Sequence, residues 1–139
     1  MDTSTGSAKK RILVIDDSSA IRKAIRRILE QLGYAVWEAE DGAKAIAMLN
    51  SEGAFDAILC DIDMPVMDGL SFLGAVPLQA PNQSAPIIMC TTHTSFDKIQ
   101  SALTLGATEY IMKPFDAGII SSKLEACGVQ CSRLTPFVC

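Results

Sequence analysis

The sequence predicts an α/β domain in which five parallel strands alternate with helices that cover both faces of one sheet. Three observations carry that prediction. Short apolar runs end abruptly in polar residues after Ile15, Cys60 and Cys90. Runs of that kind, apolar without alternation, suit strands buried on both faces. The stretches between them repeat apolar residues at helical spacing, and strand and helix alternate with no internal repeat and no linker. That order implies right-handed crossovers and a parallel sheet.

The elements follow in turn. Arg11 to Ile15 is the first strand and ends in Asp16-Asp17. Ser18 or Ser19 can cap the next helix, which carries Ile21, Ala24, Ile25, Ile28, Leu29 and Leu32 inward and stops at Gly33. Its outer side holds Arg22, Lys23, Arg26 and Arg27, read as a solvated face in preference to a binding patch. Tyr34 to Ala39 is the second strand. Asp41-Gly42 opens a helix with Ala43, Ile46, Ala47 and Leu49 on its apolar side. Ala57 to Cys60 is the third strand, stopped by Asp61 and by Pro65, which lacks a backbone donor and pushes Met64 towards an extended shape. Asp68-Gly69 caps a helix over Leu70 to Ala75, and Gln79 to Ala85 is a polar loop. Ile87 to Cys90 is the fourth strand. Thr94 or Ser95 caps a helix with Ile99, Ala102, Leu103 and Leu105 inward, closed by Gly106. Glu109 to Met112 is the fifth strand, broken by Lys113-Pro114. Asp116 to Cys127 is the last helix, with Ile119, Ile120 and Leu124 inward.

Composition narrows the function classes. Hydrophobic residues make up 49% of the 139 and charged residues 20%, which places the chain among globular proteins. A net charge of -4 argues against a general nucleic-acid or anionic-membrane surface. No apolar run approaches the roughly 20 residues that span a bilayer. Residues 1–10 are polar and lack a signal peptide's apolar stretch, so they read as a flexible tail and the expected location is cytoplasmic. Cys60, Cys90, Cys127, Cys131 and Cys139 match no zinc spacing and are read as reduced thiols.

A parallel sheet gathers the carboxyl ends of its strands at one rim, where open α/β sheets bind ligands. Here that rim would collect Asp16, Asp17, Asp61 and Asp63, together with Thr91 and Lys113. Two carboxylates 4 Å apart repel by on the order of 4 kcal/mol at an effective dielectric near 20. Protonation or a hard cation relieves that repulsion. An all-oxygen ligand set without His or Cys favours Mg²⁺, or alternatively Mn²⁺. A Lys and a Thr hydroxyl opposite could hold phosphoryl oxygens, and a carboxylate can itself attack phosphorus to give an aspartyl phosphate. Phosphoryl transfer needs mainly positioning and charge neutralisation, and this set offers both.

With Asp16-Asp17, the D-x-x-M-P-x-M-D-G run from Asp61 to Gly69, Thr91 and Tyr110-x-x-Lys113-Pro114-Phe115 in this order, the chain resembles a response-regulator receiver domain, and Cys90-Thr91-Thr92 with Glu109 to Asp116 resembles a subset of stand-alone chemotaxis receivers. The likeness runs from about Arg11 to Gly128, leaving residues 129–139 as a C-terminal extension. It implies a flavodoxin-like, doubly wound, five-stranded parallel sheet of order 2-1-3-4-5 with five helices; the order comes from the resemblance alone. It also implies that Asp61 takes a phosphoryl group from a sensor histidine kinase or histidine phosphotransfer protein. By the same likeness Asp17, Asp61 and the backbone carbonyl of Asp63 ligate Mg²⁺, with Asp16 acting largely through water. Thr91 and Lys113 contact the phosphoryl oxygens, and Tyr110 reports the change by turning inward. The output is then binding to a protein such as a flagellar switch component. Such a domain is not an enzyme towards other molecules. It catalyses at most its own phosphorylation and dephosphorylation.

Two departures bear on kinetics. Thr92 is larger than the Ala or Gly of most receivers and is expected to restrict access to the phosphoryl group. His93 and Asp63 lie where receivers tune phosphate lifetime. Competing readings are a phosphorelay shuttle or phosphate sink, and a haloacid-dehalogenase-type phosphatase suggested by Asp61-Ile62-Asp63. The phosphatase is disfavoured because Pro65 and Asp68-Gly69 follow and the domain has no cap. A flavodoxin-like electron carrier is disfavoured because an acidic rim repels a flavin phosphate.

Overall fold

Alternating strand residues split the interior into two cores, one on each face of a five-stranded parallel sheet. The structure, a computed structural model, describes residues 9–81, 83–91, 96–113 and 115–129. Its elements are β1 (Arg11–Ile15), α1 (Ser19–Gln31), β2 (Ala35–Ala39), α2 (Gly42–Ser51), β3 (Ala57–Asp61), α3 (Gly69–Gln79), β4 (Ile87–Thr91), α4 (Phe96–Thr104), β5 (Glu109–Met112) and α5 (Ala117–Ala126). The strand order is β2-β1-β3-β4-β5, every pair parallel, which is the flavodoxin-like order expected.

Leu13, Ile15, Ile58, Cys60 and Met89 point to one face and pack against α2 and α3, with Ala102 of α4. Ile12, Val14, Leu59, Ile88, Cys90 and Ile111 point to the other, against Ile25 and Leu29 of α1 and Ile120 and Leu124 of α5. Among the described residues, four helices start on a side-chain cap. Ser18, Asp41, Asp68 and Asp116 each accept a backbone N–H from the first turn of α1, α2, α3 and α5. These caps also fix where the chain leaves the rim. Pairing Asp61 with Cys90 in the β3–β4 register sets Asp61 one residue back from the end of β4 at Thr91.

Several element-level expectations are corrected. Tyr34 is buried ahead of β2, not in it. Helix α3 runs four residues past Ala75 and holds Pro77 near its end. Ala24, Ala43 and Ala47 are exposed, and Ala45 takes the inward place in α2. Leu103, Leu105 and Ile119 are also exposed, at 42, 47 and 41%. A helix resting on a sheet buries a narrow stripe, and small or flanking apolar residues fall outside it. The basic side of α1 is only half a solvated face. Arg22 and Arg26 grip Glu38 of β2 at 3.0 and 2.6 Å, and burial's upward push on that carboxyl is overcome by the two guanidiniums, leaving its pKa lowered. Val129, directly after Gly128, is also buried and donates its N–H to the Leu124 carbonyl. Thr92, His93, the cap candidates Thr94 and Ser95, Pro114 and the chain beyond Val129 lie outside the described residues.

Candidate functional site

The acidic rim forms because β1 and β3 are neighbours. Asp16 and Asp17 follow the end of β1, Asp61 ends β3, and each offers a carboxylate oxygen within 4.8 Å of the others. Asp16 is 2% exposed and Asp61 8%, whereas Asp17 faces solvent. Local bonds hold Asp16 in place. Its Oδ1 accepts the Ser18 N–H at 2.9 Å and its carbonyl accepts from Arg22 Nη1 at 2.6 Å. The remaining oxygen, Oδ2, takes Lys113 Nζ at 3.0 Å, and the same ammonium stands 3.4 Å from Asp61 Oδ1.

One lysine thus bridges two of the three clustered carboxylates. Burial raises the Asp61 carboxyl, the negative charge of Asp16 adds to it, Lys113 opposes both and Asp17 adds a little more. The result is a value pushed up to about 6. Burial alone would pull Lys113 down, but its bond to Asp16 and the charges of Asp61 and Asp16 more than offset that, so its pKa is raised. Partial protonation is one answer to the crowding. A divalent cation is the other, and three oxygen donors so close together suit a hard ion.

Backbone shape sets Asp61 as firmly as charge does. The Gly69 N–H donates to the Ile62 carbonyl at 2.8 Å. A Cβ on Gly69 would meet the Asp61 carbonyl oxygen, Met89 Cε at 2.7 Å and Ile62 Cα at 2.8 Å, so only glycine fits. Between these residues, Met67 N–H closes a three-residue turn on the Pro65 carbonyl at 2.7 Å. At its centre Val66 has φ +68°, a left-handed value that a β-branched side chain adopts at a cost of about 1–3 kcal/mol. Gly42 steadies this turn from α2 by donating its N–H to the Met67 carbonyl at 3.2 Å.

The other expected residues divide. Thr91 is buried at the end of β4, where its carbonyl accepts the Lys113 N–H at 2.7 Å. Tyr110 is half-buried on β5 opposite Met89, its ring 5.3 Å from Lys123 Nζ, which also pairs with Glu109 at 3.1 Å. The Asp63 carboxylate stands apart from the three clustered acids and takes Lys98 Nζ of α4 at 2.6 Å. Sequence reasoning missed Lys98, Arg22, Gly42 and Lys123. Arg22 is four residues after Ser18, a helical spacing that could have pointed back at the rim. Nothing local marks the other three.

A family model described as the response regulator receiver domain matches residues 12–125. The chain is 37% identical over 116 residues to the chemotaxis protein CheY of Pseudomonas aeruginosa, covering 83% of this chain and 93% of that one. It has the same identity to the chemotaxis protein CheY1 of Helicobacter pylori, covering 83% of this chain and 94% of the relative. Among solved structures, the chemotaxis protein CheY4 of Vibrio cholerae superposes with a TM-score of 0.77 at 37% identity, covering 86% of this chain and 99% of the other. The receiver domain of the sensor histidine kinase PA1611 of Pseudomonas aeruginosa, with magnesium in its active-site cleft, gives 0.75 at 28% identity, covering 86 and 98%.

Proposed function

This chain belongs to the response regulator receiver family, and on that premise we propose that it is a chemotaxis-type switch whose Asp61 carries the phosphoryl group. The observation behind that choice is the trio Asp16, Asp17 and Asp61 within 4.8 Å, with Lys113 spanning two of them. An Asp61 oxygen attacks the phosphorus of a phosphohistidine on a partner kinase or phosphotransfer protein. The new O–P bond forms as the N–P bond breaks, and the leaving imidazole takes the electron pair and then a proton.

Asp17 and Asp61, with the Asp63 carbonyl and with Asp16 through water, would hold Mg²⁺, or Mn²⁺ in its place. Bound there, the ion would neutralise charge on the acids and on the phosphoryl oxygens. Lys113 supplies an ammonium already within reach of Asp61, and the Thr91 hydroxyl supplies a second contact to phosphoryl oxygen. Tyr110, Thr91 and the surface of α4, β5 and α5 then carry the change to a protein target such as a flagellar switch component, in the cytoplasm. Residues 11–128 form the receiver unit in this reading. Among the described residues no helix is long and apolar enough to cross a membrane.

The test is chemical. Acetyl phosphate with Mg²⁺ should label the wild-type protein and leave Asp61→Asn unlabelled. Undiminished label on the variant sinks the assignment of Asp61. Beryllofluoride-treated protein should also retain a flagellar switch component that untreated protein does not.

A further inference from the structure

Asp63 is a fourth acid beside the site, yet its carboxylate is directed elsewhere. Its backbone lies two residues after Asp61, in a loop pinned by the Gly69 N–H on the Ile62 carbonyl. Its side chain has no such packing. The side chains of Asp63 and Lys98 are 60 and 46% exposed, and a 2.6 Å bond joins the carboxylate to the ammonium of α4. Rotation about χ1 would redirect that carboxylate without moving the backbone. The bond to Asp63 and that acid's charge raise the Lys98 pKa, and Asp68 adds a little more.

We propose that Lys98 is a positioning residue: it holds the Asp63 carboxylate outside the Asp16–Asp17–Asp61 cluster and so limits the negative charge that a divalent ion and an incoming phosphoryl group meet. The inference rests on the function proposed above. A fourth carboxylate turned towards the cluster would attract a cation more strongly and repel an anionic phosphodonor. It would also place another oxygen close to the phosphoryl group. Lys98 belongs to α4 and Asp63 to the β3–α3 loop, so the same bond ties the helix to the chain segment that carries Asp61.

The experiment compares Lys98→Gln and Lys98→Arg in the wild-type and Asp63→Asn backgrounds, with Mg²⁺ alone as the first probe. Calorimetry should show Lys98→Gln binding Mg²⁺ about two- to five-fold more tightly, a size set by the modest strength of exposed ion pairs. Lys98→Arg should restore the wild-type affinity, and in Asp63→Asn the Gln substitution should change nothing. Labelling by acetyl phosphate at saturating Mg²⁺ should slow by a similar factor in Lys98→Gln. In metal-free protein at fixed pH, the Asp63 carboxyl ¹³C resonance should shift in Lys98→Gln and stay in place in Lys98→Arg. An unchanged Mg²⁺ affinity in Lys98→Gln overturns the proposal. Equal tightening in the Asp63→Asn background also overturns it, because the ammonium would then act only through its long-range field. Wild-type protein that binds Mg²⁺ but takes no label removes the switch function and leaves the positioning role standing. Wild-type protein that binds no Mg²⁺ removes both.

Discussion

The two ends of the sheet handle charge in opposite ways. At the amino-terminal end Arg11 is fully employed. Its guanidinium donates to the Ala54 and Glu52 carbonyls at 2.9 and 2.7 Å, and its backbone N–H donates to Asp56 at 2.7 Å. It also lies 4.5 Å from the Trp37 ring and 4.6 Å from the Phe55 ring, which meet edge to face. One cation is shared there among neutral carbonyls and ring faces, all of which gain from it. At the carboxyl-terminal end three carboxylates crowd together, one lysine reaches only two of them, and the Asp61 carboxyl is raised to about 6. The first end is built to stay as it is. The second holds unrelieved charge, which is what makes it responsive to a cation or a phosphoryl group.

Three variants sharpen that contrast, the largest effect first. Gly69→Ala should break the rim through its backbone, because the added methyl meets Asp61 and Ile62 main-chain atoms that cannot rotate away. A loss of about 3 kcal/mol in urea unfolding is expected, with phosphoacceptance falling as well. Arg11→Ala should cost about 2 kcal/mol by unpairing two carbonyls and two rings at the far end. Its acetyl phosphate labelling should match the wild type, and Trp37 fluorescence reports the unfolding. A loss of labelling comparable to that of Gly69→Ala would erase the distinction between the ends.

Asp61→Asn should do the reverse and stabilise the metal-free protein. The folded carboxyl titrates near 6 against an ordinary 3.8, so between those values the folded state binds more protons than the unfolded. Stability through this group therefore falls as pH rises from about 4 to 6, and the penalty persists above 6. Removing the charge should gain about 1 kcal/mol at pH 7.5, below the full linkage value because solvent reaches the open rim. Urea titrations should find the gain shrinking towards zero as pH falls from 6 to 4, and vanishing at pH 7.5 when Mg²⁺ is added.

Much of the rim was legible in advance. Asp16, Asp17, Asp61, Thr91 and Lys113 each sit next to the end of an apolar run, and parallel strands put all such ends on one side. The Asp68-Gly69 cap was legible too, since an acid followed by glycine after a strand has few other uses. Less legible were Ala24, Ala43 and Ala47, whose small side chains leave helical phase ambiguous, and the Glu38 clamp that draws Arg22 and Arg26 off the solvated face. Lys98 carried no signal at all.

What the sequence determined by itself was which chemical groups stand at each strand end, and alternation of strand with helix was enough to bring those ends together. Only the tertiary structure decided how the groups were paired: Lys113 with Asp16 and Asp61, Lys98 with Asp63, Arg11 with two rings. Periodicity is a local property of the chain, whereas partners 35 or 97 positions apart are chosen by how helices settle on the sheet and which donors that packing brings within reach of an acceptor.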